Sequence, residues 1–233
     1  MNDSRIQKGI INMTDFSSKR LKLVELGAIW NTYHPSVWEF HTRPSRKVMQ
    51  QWYSNRIHHL NAVINQLEQE VGLSSACYKG CAWCCYHPIL ITPFESVVIR
   101  EFLDQQRLWN LYRSKIMNVK RKIHANYLTT RVLRTHPTRD AAFEKYLKLQ
   151  ISCPFVTENS ECAVYPVRPL ACAFYKNYGL VDNCQKPFVE TLGIPDSWIE
   201  RIYQEINTIG TNYRIDYCLT FSFEHLSIAL LKI

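Results

Sequence analysis

The first 76 residues of this 233-residue chain contain no cysteine, although the whole chain has nine. Long apolar runs are missing too. None approaches the roughly 20 residues needed to span a bilayer, so a helical membrane span is not expected. The opening stretch MNDSRIQKGIINMTDFSSKR lacks the apolar core of a secretory signal, and the expected location is the cytoplasm. Seven glycines and ten prolines exclude a collagen-like or low-complexity chain. There is no phosphate-cradling glycine loop, no internal repeat and no alternating pattern strong enough to argue for a sheet. Acidic residues are absent from Arg107 to Arg139.

What is present suits one domain with helical extensions. An apolar fraction of 46% supports a real core, and 21% charged residues is ordinary for a globular chain. The net charge of +8 fits contact with nucleic acid, an anionic surface or an acidic partner, or simply a solvated basic face. The expected class is mainly α, with a helical N-terminal region over 1–75. A compact, irregular cysteine-rich core spans 76–190, carrying a basic helical insertion at about 93–150. A C-terminal helical segment over 191–233 packs on that core.

Several helices can be placed. Val48, Trp52, Ile57, Leu60, Ile64, Leu67 and Val71 recur at mostly three- and four-residue intervals, marking one buried face of a helix that Gly72 and Ser74-Ser75 end. His58 and His59 on that helix point about 100° apart and cannot grip one ion as an i, i+4 pair. Trp30 to Pro44 reads as a packed aromatic loop, with His34 and His41 as satisfied polar groups in it. Thr92, Pro93 and Glu95 make a capping box that starts a helix running to about Asp104. A second helix, Leu108 to Leu128, carries Arg113, Lys115, Lys120, Arg121 and Lys122, and Arg131, Arg134 and Arg139 extend its charge. Further helices are expected over Asp140 to Leu149 and Asp196 to Ile209, followed by an apolar segment from Leu219.

The cysteines carry the chemistry. Reduced cytosolic thiols in such density point to metal and not to disulfides. Cys77, Cys81, Cys84 and Cys85 fall within nine residues as C-x3-C-x2-C-C, and Cys153, Cys162, Cys172 and Cys184 follow after a gap. Cys218 stands alone and reads as a small buried hydrophobe. Cys81 and Cys84 have the spacing that holds one ion in a turn, and Gly80 lets the chain fold tightly before them. Adjacent side chains diverge, so Cys84 and Cys85 suggest two nearby sites or a polynuclear centre. Pro154, Pro166 and Pro169 keep most of the second group out of regular helix. Arg168, fixed before Pro169, is the candidate cation to offset thiolate charge.

Taken in order, C-x3-C-x2-C-C, then Cys153-Pro154-Phe155, then Cys162, Tyr165, Arg168, Pro169, Cys172 and Phe174, resembles the YkgJ-type cysteine-rich family of zinc- or iron-chelating domains, the CxxCxxCC type. Cys184 resembles that family's final cysteine, and the likeness covers about 77–184. Trp83 stands where small residues are common, Ala173 follows Cys172 where an Arg is frequent, and the basic insertion is long. The resemblance implies metal chelation and leaves any reaction open.

Only Cys81 and Cys84 form a C-x2-C knuckle, which weakens a plain zinc finger. Iron–sulfur clusters accept irregular thiolate spacings and often use a Cys-Pro such as Cys153-Pro154. The expected function is therefore chelation of iron, as an iron–sulfur cluster of the 4Fe-4S kind, or of zinc, through two groups of four cysteines. Two alternatives belong to other classes. One is a metal-dependent enzyme, since cysteine-rich flagellin lysine methylases look similar around their cluster. The other is a nucleic-acid or acidic-protein adaptor with structural zinc, using the basic segment 107–139. His87 is the obvious base for a cysteine nucleophile, and its place two residues after Cys85 equally suits a role at the metal.

Overall fold

Ser45 opens the longest described helix: its side chain accepts the Val48 amide, and α1 runs over Arg46–Glu70. The computed structural model describes residues 40–78, 80–134, 138–178, 184, 196–219 and 224–233, together with positions 18, 21, 22, 24 and 25. The buried stripe of α1 is Met49, Trp52, Tyr53, Ile57, Leu60, Ile64 and Leu67. Val48, expected on that face, is 44% exposed, because the phase of the first turn puts Met49 inward instead. The helix ends in a Schellman motif: the Leu73 amide reaches the Glu68 carbonyl at 2.8 Å, and Gly72 takes φ +64°.

The capping box at Thr92 forms as the sequence indicates and starts α2, Pro93–Gln105. Phe94 on α2 meets Tyr53 and Trp52 of α1 edge to face, with ring centroids 5.4 Å and 6.2 Å apart. These two helices form the middle of the main core. α3 follows over Trp109–Ala125, and its first half, through Tyr112 and Ile116, belongs to the same core. Its second half builds a smaller apolar cluster with α4, Thr130–Arg134, and α5, Thr138–Lys148: Val119, Ile123, Leu128, Leu133, Ala142, Tyr146 and Ile151. α3 stops three residues before Leu128 because Tyr127 takes φ +56° and the Leu128 amide turns back to the Ile123 carbonyl.

α6 is one short helix, Leu170–Phe174. α7, Asp196–Tyr213, runs beyond the expected end at Ile209. It is held to α1 by the buried Arg56–Glu205 ion pair. α8, Asp216–Leu219, folds back on α7 and brings Cys218 against Gly210, where an added Cβ would lie 2.8 Å from the Cys218 Cβ. Cys218 is buried in the main core, the place of a small hydrophobe.

Although no sheet was expected, Leu90–Ile91 (β1) pairs antiparallel with Glu224–His225 (β2), Leu90 opposite His225. Two-residue strands are too short to leave an alternating pattern. α9, Leu226–Ala229, closes the described chain. The architecture is mainly α-helical, and among the described residues no helix is long and apolar enough to cross a membrane.

Candidate metal centre

The first cysteine group is built from turns. The Tyr78 carbonyl accepts the Cys81 amide at 3.0 Å, and Gly80 sits at φ +88°, a conformation side-chain-bearing residues rarely adopt. A 3₁₀ turn over Trp83–Tyr86 then carries Cys84 and Cys85. Their thiols do not diverge into separate environments: Cys84 hydrogen-bonds to Cys85, and both line one cavity.

The second group meets the first through the backbone. The Cys153 amide donates to the Cys85 carbonyl at 2.6 Å. From there a tight loop returns at Ser160, φ +59°, and bridges Val156 to Cys162. A 3₁₀ turn over Tyr165–Val167 leads through Arg168 and Pro169 into α6, which carries Cys172. The position of α6 is set by Glu95, whose Oε1 accepts the Leu170 amide at 2.8 Å while Oε2 accepts the Thr92 amide at 2.7 Å. Burial pushes the Glu95 carboxyl up, and these hydrogen bonds pull against it.

Cys77, Cys81, Cys84, Cys85, Cys153, Cys162 and Cys172 line one cavity of about 610 Å³. Cys184 is buried and lies just behind this wall, tied to it by Asn177. The Asn177 Nδ2 donates to the Cys184 Sγ at 3.2 Å and its backbone amide to the Cys77 Sγ at 3.4 Å. All nine cysteines are free thiols. Burial raises Cys153 and Cys172 well above the usual thiol range, and neighbouring sulfurs add to the effect. The thiols of this wall are therefore held neutral until a cation offsets their charge.

Arg168 supplies part of that offset. It lines the cavity, and its charge acts against the upward shifts of Cys84, Cys162 and Cys172. Its Nη2 donates to Asn61 Oδ1 at 3.0 Å, its guanidinium stacks 4.0 Å from the Tyr165 ring centroid, and Tyr53 donates to its carbonyl at 3.1 Å. Its Nε is buried without a partner. Lys176, also on the wall, is engaged by Glu68 at 2.7 Å and Asn65 at 3.0 Å.

The donor set suits a thiophilic metal or cluster: seven sulfurs on one wall, an eighth behind it, and an arginine facing them. Among the described residues, however, no three His, Cys, Asp or Glu donors converge on one point at coordinating distance. The sulfurs ring a space wider than one ion, and binding has to draw them inward, as expected where site assembly and folding are coupled.

Other candidates lie elsewhere. The His87 ring contacts the Cys184 carbonyl at 3.0 Å and packs edge-on to Phe143 and Tyr175, and it does not line the cavity. Burial lowers its pKa, so it acts as a neutral ring that positions the Cys184 backbone. His41, His58 and His59 are exposed, and His34 lies outside the described residues. Arg113, Lys115, Arg121, Lys122 and Arg131 are exposed, Lys120 is half-buried, and none lines the cavity. The side chains of Arg134 and Arg139 lie outside the described residues.

Sequence reasoning missed Asn177, Asn61 and the second hydrogen bond of Glu95. Isolated amides carry no periodic signal, and Glu95 looked fully used by its capping box.

A family model described as a CxxCxxCC, putative zinc- or iron-chelating domain matches residues 76–192. No curated protein and no solved structure matches the chain.

Proposed function

Because the chain belongs to the CxxCxxCC family of zinc- or iron-chelating domains, we propose that it holds iron as an iron–sulfur cluster, with zinc the alternative metal. The ligands in this reading are Cys77, Cys81, Cys84, Cys85, Cys153, Cys162, Cys172 and Cys184. The observation that carries it is the gathering of seven of these sulfurs, from both sequence groups, around one cavity. An iron–sulfur centre would supply electron transfer or a structural cross-link there, and zinc only the cross-link.

The chain's own residues do the rest. Arg168 offsets thiolate charge, Asn61 and Tyr165 hold its guanidinium, and Glu95 fixes the helix bearing Cys172. Asn177 donates to two sulfurs, which favours their thiolate forms. The preference for iron rests on the irregular spacing and on Cys153-Pro154. Anaerobic purification with iron, zinc and acid-labile sulfide analysis, together with visible and Mössbauer spectra, tests it. A brown protein with iron and sulfide in similar amounts is expected. A colourless protein with stoichiometric zinc would reverse the order of the metals.

A further inference from the structure

Along the chain the cysteines fall four and four, but their neighbours in space divide them differently. Cys84, Cys153, Cys162 and Cys172 form a complete set, each within electrostatic reach of the other three. All four line the cavity, with Arg168 on the same wall. Cys184, the last of the downstream group, lies off the cavity wall, and its strongest thiol neighbours, in order, are Cys77, Cys81 and Cys84. Asn177 makes the link physical by donating to the sulfurs of both Cys77 and Cys184, and its carbonyl accepts the Ala76 amide at 2.7 Å. The first cysteine of the upstream group and the last of the downstream group are therefore clamped by one side chain.

We propose that space and not sequence sorts the ligands: Cys84, Cys153, Cys162 and Cys172 make a closed four-thiolate site beside Arg168, while Cys77, Cys81 and Cys184, gathered at Asn177, make a second site of three. This rests on the chelation reading above and adds a division of labour to it. Four thiolates complete a tetrahedral ion or the corners of a cluster, whereas three leave a tetrahedral zinc or iron one donor short. Cys77 is exposed, so water or a small soft donor from solvent can complete the second site. The chain's one C-x2-C pair, Cys81 and Cys84, is thereby split between the sites, which a zinc knuckle would not do. Cys85 stays on the side of the quartet, as the hydrogen-bond partner of Cys84 and the backbone partner of Cys153.

The test uses the full chain, purified anaerobically with its metal. Metal is counted by mass spectrometry, and its release to a chromogenic chelator is followed in time for wild type and for Cys77→Ser, Cys81→Ser, Cys184→Ser, Cys84→Ser and Cys162→Ser. Two release phases are expected in wild type. Cys77→Ser, Cys81→Ser and Cys184→Ser should lose the fast phase and keep the slow one, while Cys84→Ser and Cys162→Ser should lose the slow phase. Cys184 is buried, and should its variant not fold, the half-buried Cys84 decides the matter by sorting with Cys162 or with Cys77. Cys184→Ser behaving like Cys162→Ser, or Cys84→Ser like Cys77→Ser, would restore the grouping by sequence and overturn the proposal. A single phase lost in every variant would mean one shared centre, overturning the sorting and leaving chelation intact. Wild-type protein without bound metal would remove the chelation reading and this sorting with it.

Discussion

Glu95 and Leu170, far apart in the chain, are joined by a 2.8 Å hydrogen bond from the Leu170 amide to the Glu95 carboxylate, so the residue that caps α2 also anchors the helix bearing Cys172. Glu95 is fully buried and accepts from Thr92 as well. Replacing it with Ala leaves two backbone amides buried without acceptors, each costing about 1–3 kcal/mol. Glu95→Ala should shift the urea midpoint sharply downward and lower metal content with it. Glu95→Gln, which keeps one carbonyl oxygen, should lose less. An unchanged midpoint in Glu95→Ala would remove the anchoring role.

Arg168 is the charged group on the cavity wall nearest the thiols in effect. Arg168→Gln keeps a polar side chain near Asn61 but removes the charge that favours thiolates at Cys84, Cys162 and Cys172. Losses on the order of 10-fold in metal affinity are typical when a residue supporting the ligands is changed. Chelator competition measures it, and Arg168→Lys should recover part of the loss. Equal affinity in Arg168→Gln and wild type would show that the charge is not used.

His225 gives a pH signature. Burial pushes its pKa down to about 3, and its Nδ1 already accepts from the Ser227 amide at 3.3 Å, which leaves no room for a second proton there. The unfolded ring titrates near 6.5. The folded pKa is depressed, so the stabilisation is complete above about pH 6.5 and is lost as pH falls toward 3, by up to about 1.4 kcal/mol per pH unit. Urea midpoints measured across that range should fall for wild type and fall less steeply for His225→Gln. Identical slopes would assign the acid sensitivity to other groups.

Gly210 is required for packing. An added Cβ would lie 2.8 Å from the Cys218 Cβ and 2.9 Å from the Leu219 Cδ2. Alanine is the better helix former by about 1 kcal/mol, yet overpacking of this kind costs about 1–3 kcal/mol. Gly210→Ala should be net destabilising by thermal unfolding, and Gly210→Ala combined with Cys218→Gly should recover part of the loss. A more stable single variant would mean that α8 can shift away freely.

The parts legible in the sequence were those that obey a strong local rule. Thr92, Pro93 and Glu95 announced a helix start because capping boxes are local chemistry. Helix ends were read less well, since Arg107, Tyr127 and Arg214 take positive φ where glycine is the usual signal. The cysteines stood out by clustering, but which sulfur neighbours which depends on contacts such as Asn177 with Cys184 and Cys85 with Cys153, and spacing holds no record of these. Tyr146 and His225, hydrogen-bonded at 3.2 Å in the interior, were invisible for the same reason.

The hydrogen bond from Cys153 to the Cys85 carbonyl makes the chain between them a detour that departs from and returns to a single point. The closure entropy of such a detour rises slowly, by only about 0.6 kcal/mol for each doubling of its length. The small apolar cluster of α3, α4 and α5 is thus an annex that could grow, shrink or acquire new surface charge with little penalty at the thiol wall, and this part of the molecule is free to diversify.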